Sequence, residues 1–544
     1  MPQTRPRTPC LLALAAAAAL LAVLSGCAVA ADTRPARGVV FEDVDGNGER
    51  GPEETGIEGV CVSNGREVVR TDADGRWELP CPAGTILFVC KPTGWMTPVD
   101  ELNRPRFFYI HKPGGSEDEG YTFAGSAPTG PLPESIDFPL VRQEEPRRFR
   151  VILMGDPQAG TPEEVTWFGR DVMAELVGTD AAFGISLGDI AYDDLSLLRP
   201  ICEMQALAGV PWYAVAGNHD MNYAAGDDRG ALETFEREMG PATYAFAYGG
   251  VHFLVLDNVV WDGPAGTGKP DPENYHGGLS ERQLAFVAGY LETVPAEARV
   301  VVAMHIPLHN PFAKRHGTRG ARKLLRLLSR FPRTCSFSGH THVNANGYLD
   351  ERLGYAPAGG GVHPHHNVGT ASGNWWLGPP DELGIPSAFM QDGTPNGYAV
   401  ATFDGMAYSV RYKVARAPAD YQMNIHAPDR VAADAAGEVT VLANVFGGGP
   451  ASKTRMRVGG GEWRPMRKVL RPDPHYRRQW EWIKANTPQG ADHWAKPLPC
   501  LHMWAGLLPT RLAAGTHVIE VESTDGFGRM HRGRRPIRVD AGGE

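Results

Sequence analysis

The sequence predicts an α/β core flanked on each side by a β-rich, sandwich-like segment. Between residues 147 and 370, apolar runs of strand length alternate with amphipathic helical stretches. Residues 38–141 and 371–544 instead set short strand-like runs between turns, with no long helical period. Five polar clusters also end apolar runs of the middle segment, at the strand termini where open α/β sheets hold ligands. A length of 544 residues accommodates three such units.

Residues 1–26 carry Arg5 and Arg7, then the apolar run Leu11 to Leu24, then Ser25-Gly26 before Cys27, the order of a secretory signal. The run is too short for a mature membrane span. Leu24-Ser25-Gly26-Cys27 resembles a bacterial lipobox, which makes Cys27 the expected lipidated first residue; cleavage near Ala31 is the alternative. The expected location is therefore the cell envelope, membrane-anchored through Cys27, or else periplasmic or secreted. Removing Arg5 and Arg7 shifts the formal charge from −10 to −12. Such an acidic chain with no long basic run is not expected to bind nucleic acid. Export permits a local disulfide among Cys61, Cys81 and Cys90, whereas Cys202, Cys335 and Cys500 read as buried thiols. No motif specifies an oligomeric state.

In the first β-rich segment, Val60-Cys61-Val62, Val68-Val69 and Trp77-Glu78-Leu79 alternate with Gly/Asp turns, as in a small β-sandwich. Asp43, Asp45, Asn47 and Glu54 match a calcium-loop pattern, with oxygen side chains at alternate positions and Gly48 at the bend. The flanks read as strands, so an EF-hand is excluded; a calcium site and an ion-free Asp/Gly turn both remain open. Pro131, Pro133, Pro139 and residues 142–148 then form the exit and linker.

In the core, the strand candidates are Phe149 to Met154, Ala181 to Leu187, Trp212 to Ala216, Val251 to Leu256, Val300 to Met304 and Cys335 to Phe337. Val165 to Val177 and Leu284 to Tyr290 read as helices, the second opened by the capping box Ser280-Glu281-Arg282-Gln283. From residue 371 the rhythm fades into β-rich runs such as Tyr398-Ala399-Val400, Tyr408 to Tyr412 and Thr516 to Val521.

The five clusters are Asp156-Pro157-Gln158, Gly188-Asp189, Gly217-Asn218-His219-Asp220, His305 and Gly339-His340-Thr341-His342. Carboxylate, amide oxygen and imidazole are the ligands of hard or borderline divalent ions, and two ions ~3.5–4 Å apart need a shared ligand. A strand-terminal Asp189 suits that bridging place.

In order and internal spacing these clusters resemble the motifs of the calcineurin-like metallophosphoesterase superfamily, and the flanks resemble a bacterial three-part subgroup with N- and C-terminal accessory domains. The resemblance implies a four-layer αββα core, phosphate mono- or diester substrates, and two divalent ions such as Mn, Zn or Fe. It places Asp156, Asp189 and His342 on one ion, and Asp189, Asn218, His305 and His340 on the other. It makes His219 the group beside the leaving oxygen, with Asp220 as its orienting carboxylate. The implied reaction is in-line attack by a metal-activated hydroxide.

Gln158 departs from that pattern, where His is usual; its amide oxygen offers a weaker ligand. Gly188-Asp189-Ile190-Ala191-Tyr192 also resembles the motif of purple acid phosphatases, whose tyrosine ligates iron, so Tyr192 is a candidate ligand beside its reading as a helix-start residue. His309 and His366, with neighbouring Asn310, His363 and His365, are candidate metal or substrate contacts or plain loop residues. Trp375 and Trp376 suit ring stacking or domain packing. Against the hydrolase stands one other reading, a non-catalytic envelope scaffold with a degraded centre.

Overall fold

The computed structural model describes residues 35–117, 120–264, 274–310, 317–487 and 494–541. Cys27 and the segment read as a secretory signal lie outside the described residues. The core holds two sheets. One has the order β3-β2-β1-β10-β11, from β1 (Arg148–Met154), β2 (Phe183–Leu187), β3 (Trp212–Val215), β10 (Gly397–Asp404) and β11 (Ala407–Val414). The other has the order β4-β5-β6-β7-β9-β8, from β4 (Tyr244–Tyr248), β5 (Val251–Val255), β6 (Arg299–Ala303), β7 (Arg333–Ser338), β8 (Ala345–Leu349) and β9 (His363–Asn367). Strands β1, β2 and β3 are parallel, as are β5, β6, β7 and β9.

Alternation along β1 explains the layering. Phe149, Val151 and Leu153 join Phe253, Val301 and Phe337 between the sheets, while Ile152 and Met154 turn outward onto α1 (Pro162–Asp171) and α2 (Leu198–Ala206). The second sheet is covered by α3 (Glu281–Thr293) and α4 (Ala321–Leu328) through Phe286, Leu291, Leu324 and Leu328. The result is a four-layer αββα core. The Ser280 capping box opens α3 as its sequence predicts.

Residues 36–142 form two four-stranded sheets, and the same apolar cluster runs from Val40, Trp77 and Leu87 into the core. The junction also holds a buried ion pair, Lys91 Nζ to Glu145 Oε1 at 2.6 Å, with Lys91 donating again to the Ala247 carbonyl at 2.7 Å. Cys61 and Cys90 sit opposite each other on paired strands and Cys81 is nearby in sequence; all three are buried free thiols, so none of the disulfides allowed by export is formed. Residues 423–540 form a second sandwich of four and five strands.

Two expectations change. Of the strands at 397–414, read as part of the C-terminal domain, β10 pairs with β1 and β11 with β10, so the core sheet runs past residue 370. His363, His365 and His366, read as candidate metal or substrate contacts or plain loop residues, lie on the buried strand β9. There Thr334, Ser336 and Ser338 of β7 alternate with His363 and His365 in a hydrogen-bonded ladder, from 2.7 Å at Thr334–His363 to 3.3 Å at Ser338–His365.

Candidate metal centre

Every cluster residue expected to meet a metal lies just beyond the carboxyl end of a core strand: Asp156 after β1, Asp189 after β2, Asn218 after β3, His305 after β6, and His340 and His342 after β7. Asp156, Gln158, Asp189, His340 and His342 all adopt positive φ, between 39° and 73°. That left-handed region costs a non-glycine residue of order 1 kcal/mol and turns each side chain back toward the strand ends. The preceding glycines have a packing reason. A Cβ on Gly188 would lie 2.4 Å from the His305 ring, and one on Gly217 would lie 2.0 Å from the Asp189 amide nitrogen.

Four ligand atoms converge. Asn218 Oδ1 is 3.0 Å from both His305 Nε2 and His340 Nδ1, these nitrogens are 3.2 Å apart, and Asp189 Oδ2 is 3.1 Å from His305 Nε2. His305 Nδ1 donates to the Leu187 carbonyl at 2.8 Å, which turns the Nε2 lone pair into the cluster. Acceptor atoms packed this closely in a dry site call for a cation.

A second group adjoins the first. Asp156 is fully buried and accepts from the His340 amide at 3.0 Å; His342 Nε2 is 3.7 Å from Asp156 Oδ1 and is oriented by Nδ1 donating to Gly373 O at 3.1 Å. Gln158 is buried, its Nε2 3.5 Å from Asp189 Oδ2, and its Oε1 has no hydrogen-bond partner. With Nε2 beside the Asp189 carboxylate, the buried and orphaned Oε1 is an oxygen donor free for a metal ion. Asp189 thus stands between the two groups, and with His305 and His340 it forms a donor set that fits a divalent ion.

The electrostatics agree. Burial pushes Asp156 up to about 8, with the neighbouring Asp189 carboxylate acting in the same direction. Burial opposes charge on His305, but Asp189 outweighs it and takes the ring to about 9. Burial and the His305 charge push His340 down to about 3.

Asp220 does not orient His219. Its buried carboxylate accepts from the Ile190, Ala191 and Gly217 amides at 2.9–3.0 Å and staples the Asp189 loop to the Asn218 loop. The carboxylate that meets His219 is Asp193, 2.6 Å from Nδ1, with the Tyr223 hydroxyl 2.6 Å from the same oxygen. Burial disfavours charge on His219, yet Asp189 and Asp193 together raise its pKa. No sequence spacing pairs Asp193 or Tyr223 with His219; the acidic pair Asp193-Asp194 after Tyr192 is the available signal.

Tyr192 stacks on the His219 ring at 4.6 Å and meets Trp375 edge-on at 5.8 Å, and Trp375 lies 4.9 Å from His342. Trp376 is packing: its indole donates to Asp171 inside the core. His309 is exposed on the loop after His305. His366 is no ligand: its nitrogens meet Asn346 Oδ1 at 2.6 Å and Tyr408 Oη at 2.9 Å, and its ring stacks on Phe337. The C-terminal sandwich supports the site through His502, 2.9 Å from Asp392, whose carboxylate accepts from the Asn344 amide two residues beyond His342.

In the N-terminal sandwich, the carboxylates of Asp43, Asp45 and Glu54 have oxygens within 4.8 Å of one another. Asp43 accepts from the Gly46 and Gly48 amides, Glu54 from Val44 and Gly51, and Asn47 Nδ2 donates to Asp45 at 2.8 Å.

A family model of the calcineurin-like phosphoesterase matches residues 149–344, that of its N-terminal part matches 44–127, and that of its C-terminal part matches 365–531. The chain belongs to the calcineurin-like phosphoesterase family. It is accordingly a metal-dependent phosphoric ester hydrolase. No curated protein matches this calcineurin-like phosphoesterase. Among solved structures it is similar to PhoD, at 12% identity over 65% of this chain and 79% of that one with a TM-score of 0.35. It is also similar to purple acid phosphatase PPD1 from yellow lupin (Lupinus luteus) seeds, at 13% identity over 70% and 67% with a TM-score of 0.34. A third is GAP50, the anchor in the inner membrane complex of Plasmodium, at 14% identity over 49% and 84% with a TM-score of 0.27.

Proposed function

We propose that this chain is an exported, envelope-bound phosphoesterase that hydrolyses phosphate mono- or diesters with two divalent ions. The carrying observation is the placement of Asp189 between two adjoining donor groups, Asn218, His305 and His340 on one side and Asp156, Gln158 and His342 on the other. The ions, when bound, supply Lewis-acid neutralisation of the phosphoryl oxygens and acidify the attacking water. The protein's own part is to fix the donors on rigid strand ends and to exclude bulk water from Asp156 and His305. His219, held by Asp193 and stacked on Tyr192, stands beside the centre as proton donor to the departing oxygen. Gln158 Oε1 serves as the weakest ligand, which favours hard ions at the first position.

The test is hydrolysis of aryl phosphate mono- and diesters, lost with a chelator and restored by Mn²⁺, Zn²⁺ or Fe²⁺. Full activity in Asn218→Ala and His340→Ala would defeat the assignment. The anchoring part of the reading rests on Cys27 and is checked by mass spectrometry of the mature N-terminus, where an unacylated start beyond Cys27 sinks it. Calcium in the Asp43 loop is the remaining part; it requires a thermal stability that rises with Ca²⁺ in the native chain and not in Asp43→Ala.

A further inference from the structure

The outer face of the C-terminal sandwich carries a charge arrangement that the metal centre does not use. Strands β12 (Lys453–Val458), β13 (Gly515–Thr524) and β14 (Met530–Asp540) lie side by side with β13 in the middle. Met456, Val458, Ile519, Val521, Ile537 and Val539 point inward to the apolar core. The two-residue period therefore sends the intervening residues to the opposite face. Register sets them in two rows, Arg455–Glu522–Arg532 and Arg457–Glu520–Arg534.

Each glutamate takes an arginine from both sides. Glu522 is 2.6 Å from Arg455 and 2.8 Å from Arg532; Glu520 is paired with Arg457 and lies 3.3 Å from Arg534. One negative charge thus serves two positive ones, and each row keeps a net positive charge. Depth adds to this. The side chains of Glu520 and Glu522 are only 18% and 7% exposed, whereas those of the four arginines are 33–75% exposed. Lys453 and Arg538 extend the pattern at its two ends, with Asp540 shared between Arg430 at 2.8 Å and Arg538 at 4.0 Å. A cationic sheet face thereby stands on a chain of net charge −10.

The partner chemistry follows from spacing and from the remaining side chains. Strand geometry puts the arginines ~7 Å apart along a strand and ~10 Å apart across β13. Guanidinium groups bind phosphate oxygens two at a time. Met530 and Val518 point to the same face at opposite ends of the rows and are 51% and 40% exposed. Apolar side chains beside an arginine lattice suit a phospholipid headgroup layer, and a soluble polyanion offers them nothing. Among the described residues no helix is long and apolar enough to cross a membrane.

We propose that this face docks the protein on an anionic phospholipid bilayer. Residues 35–544, which contain every described element, are sedimented with vesicles of phosphatidylcholine alone or mixed with phosphatidylglycerol. Binding is expected only with phosphatidylglycerol, weakening as salt rises. Arg532→Gln with Arg534→Gln lowers the partition coefficient roughly thirtyfold while hydrolysis of a small aryl phosphate is unchanged. Glu520→Gln with Glu522→Gln raises it, and supplies the measurement should the arginine variant fail to fold. Equal binding to both vesicle types, no vesicle binding, insensitivity to these substitutions, or capture of soluble polyphosphate without vesicle binding would each overturn the proposal. Because partition and not turnover is read, its failure leaves the phosphoesterase reading intact.

Discussion

Asp193→Asn removes one charge and almost no volume, and it isolates how the proton reaches the leaving oxygen. Asp193 Oδ1 lies 2.6 Å from His219 Nδ1 and is shared with the Tyr223 hydroxyl. A hydrogen bond between charged partners contributes about 1.5–3 kcal/mol. The Asp193 side chain is 35% exposed, so solvent screening places this one at the lower end, about 1.5–2 kcal/mol. At ~1.4 kcal/mol per decade, kcat for an alkyl phosphate should fall about 10- to 30-fold. An aryl leaving group of low pKa departs without a proton, so its loss should stay within a few-fold. The assay is kcat across a series of leaving groups for both proteins, with bound metal measured alongside. A uniform loss across the series, or a loss that tracks missing metal, would refute the reasoning, because Asp193 would then support the ion site and not His219.

Gln158→His replaces an amide oxygen by a stronger imidazole ligand, and should raise retention of the more weakly held ion about tenfold or more, read as metal content after dialysis. Lys91→Met strips the buried Glu145 of its cation at the junction of the N-terminal sandwich and the core; the cost should be about 3–5 kcal/mol in urea unfolding, and a cost under ~1 kcal/mol would mean the pair is dispensable. Stability should also fall with acid. Burial pushes His363 down to about 3 and His366 to about 4, so the unfolded chain binds protons that the native chain refuses. The loss begins below the ordinary histidine value near 6.5 and deepens as pH falls toward 4, and melting temperatures that stay level from pH 7 to 5 would contradict it.

The metal-bearing half of the fold was legible because β1, β2, β3 and β6 carry apolar runs, each followed within three residues by Asp, Asn or His. β9 was not legible, since His363-Pro364-His365-His366-Asn367 looks like solvent-facing loop. Its burial depends on the hydroxyls of Thr334, Ser336 and Ser338 one strand away, which no local pattern reveals. The runs at 397–414 were legible as strands and not as members of the core sheet, because pairing partners are set by tertiary geometry. The same limit hid Asp193. Asp220 is the sequence neighbour of His219, but the 3₁₀ turn at Asn218–Asp220 aims its carboxylate at backbone amides. Asp193 reaches His219 from 26 residues upstream.

The return of β10 to the edge of β1 also bears on the order in which the chain is made. β1 and Asp156 are synthesised early, yet the partner that covers the free side of β1 arrives roughly 250 residues later. Ser372, whose hydroxyl donates to the Asp156 carbonyl at 2.9 Å, and Gly373, which orients His342, arrive only shortly before it. A chain halted before residue 397 therefore exposes the edge of β1 that β10 covers in antiparallel pairing, and an open edge invites wrong pairing. Completion of the ion cradle and closure of the sheet thus fall at nearly the same moment of synthesis, because a chain halted before residue 372 lacks Ser372 and Gly373 as well as the strand that covers β1.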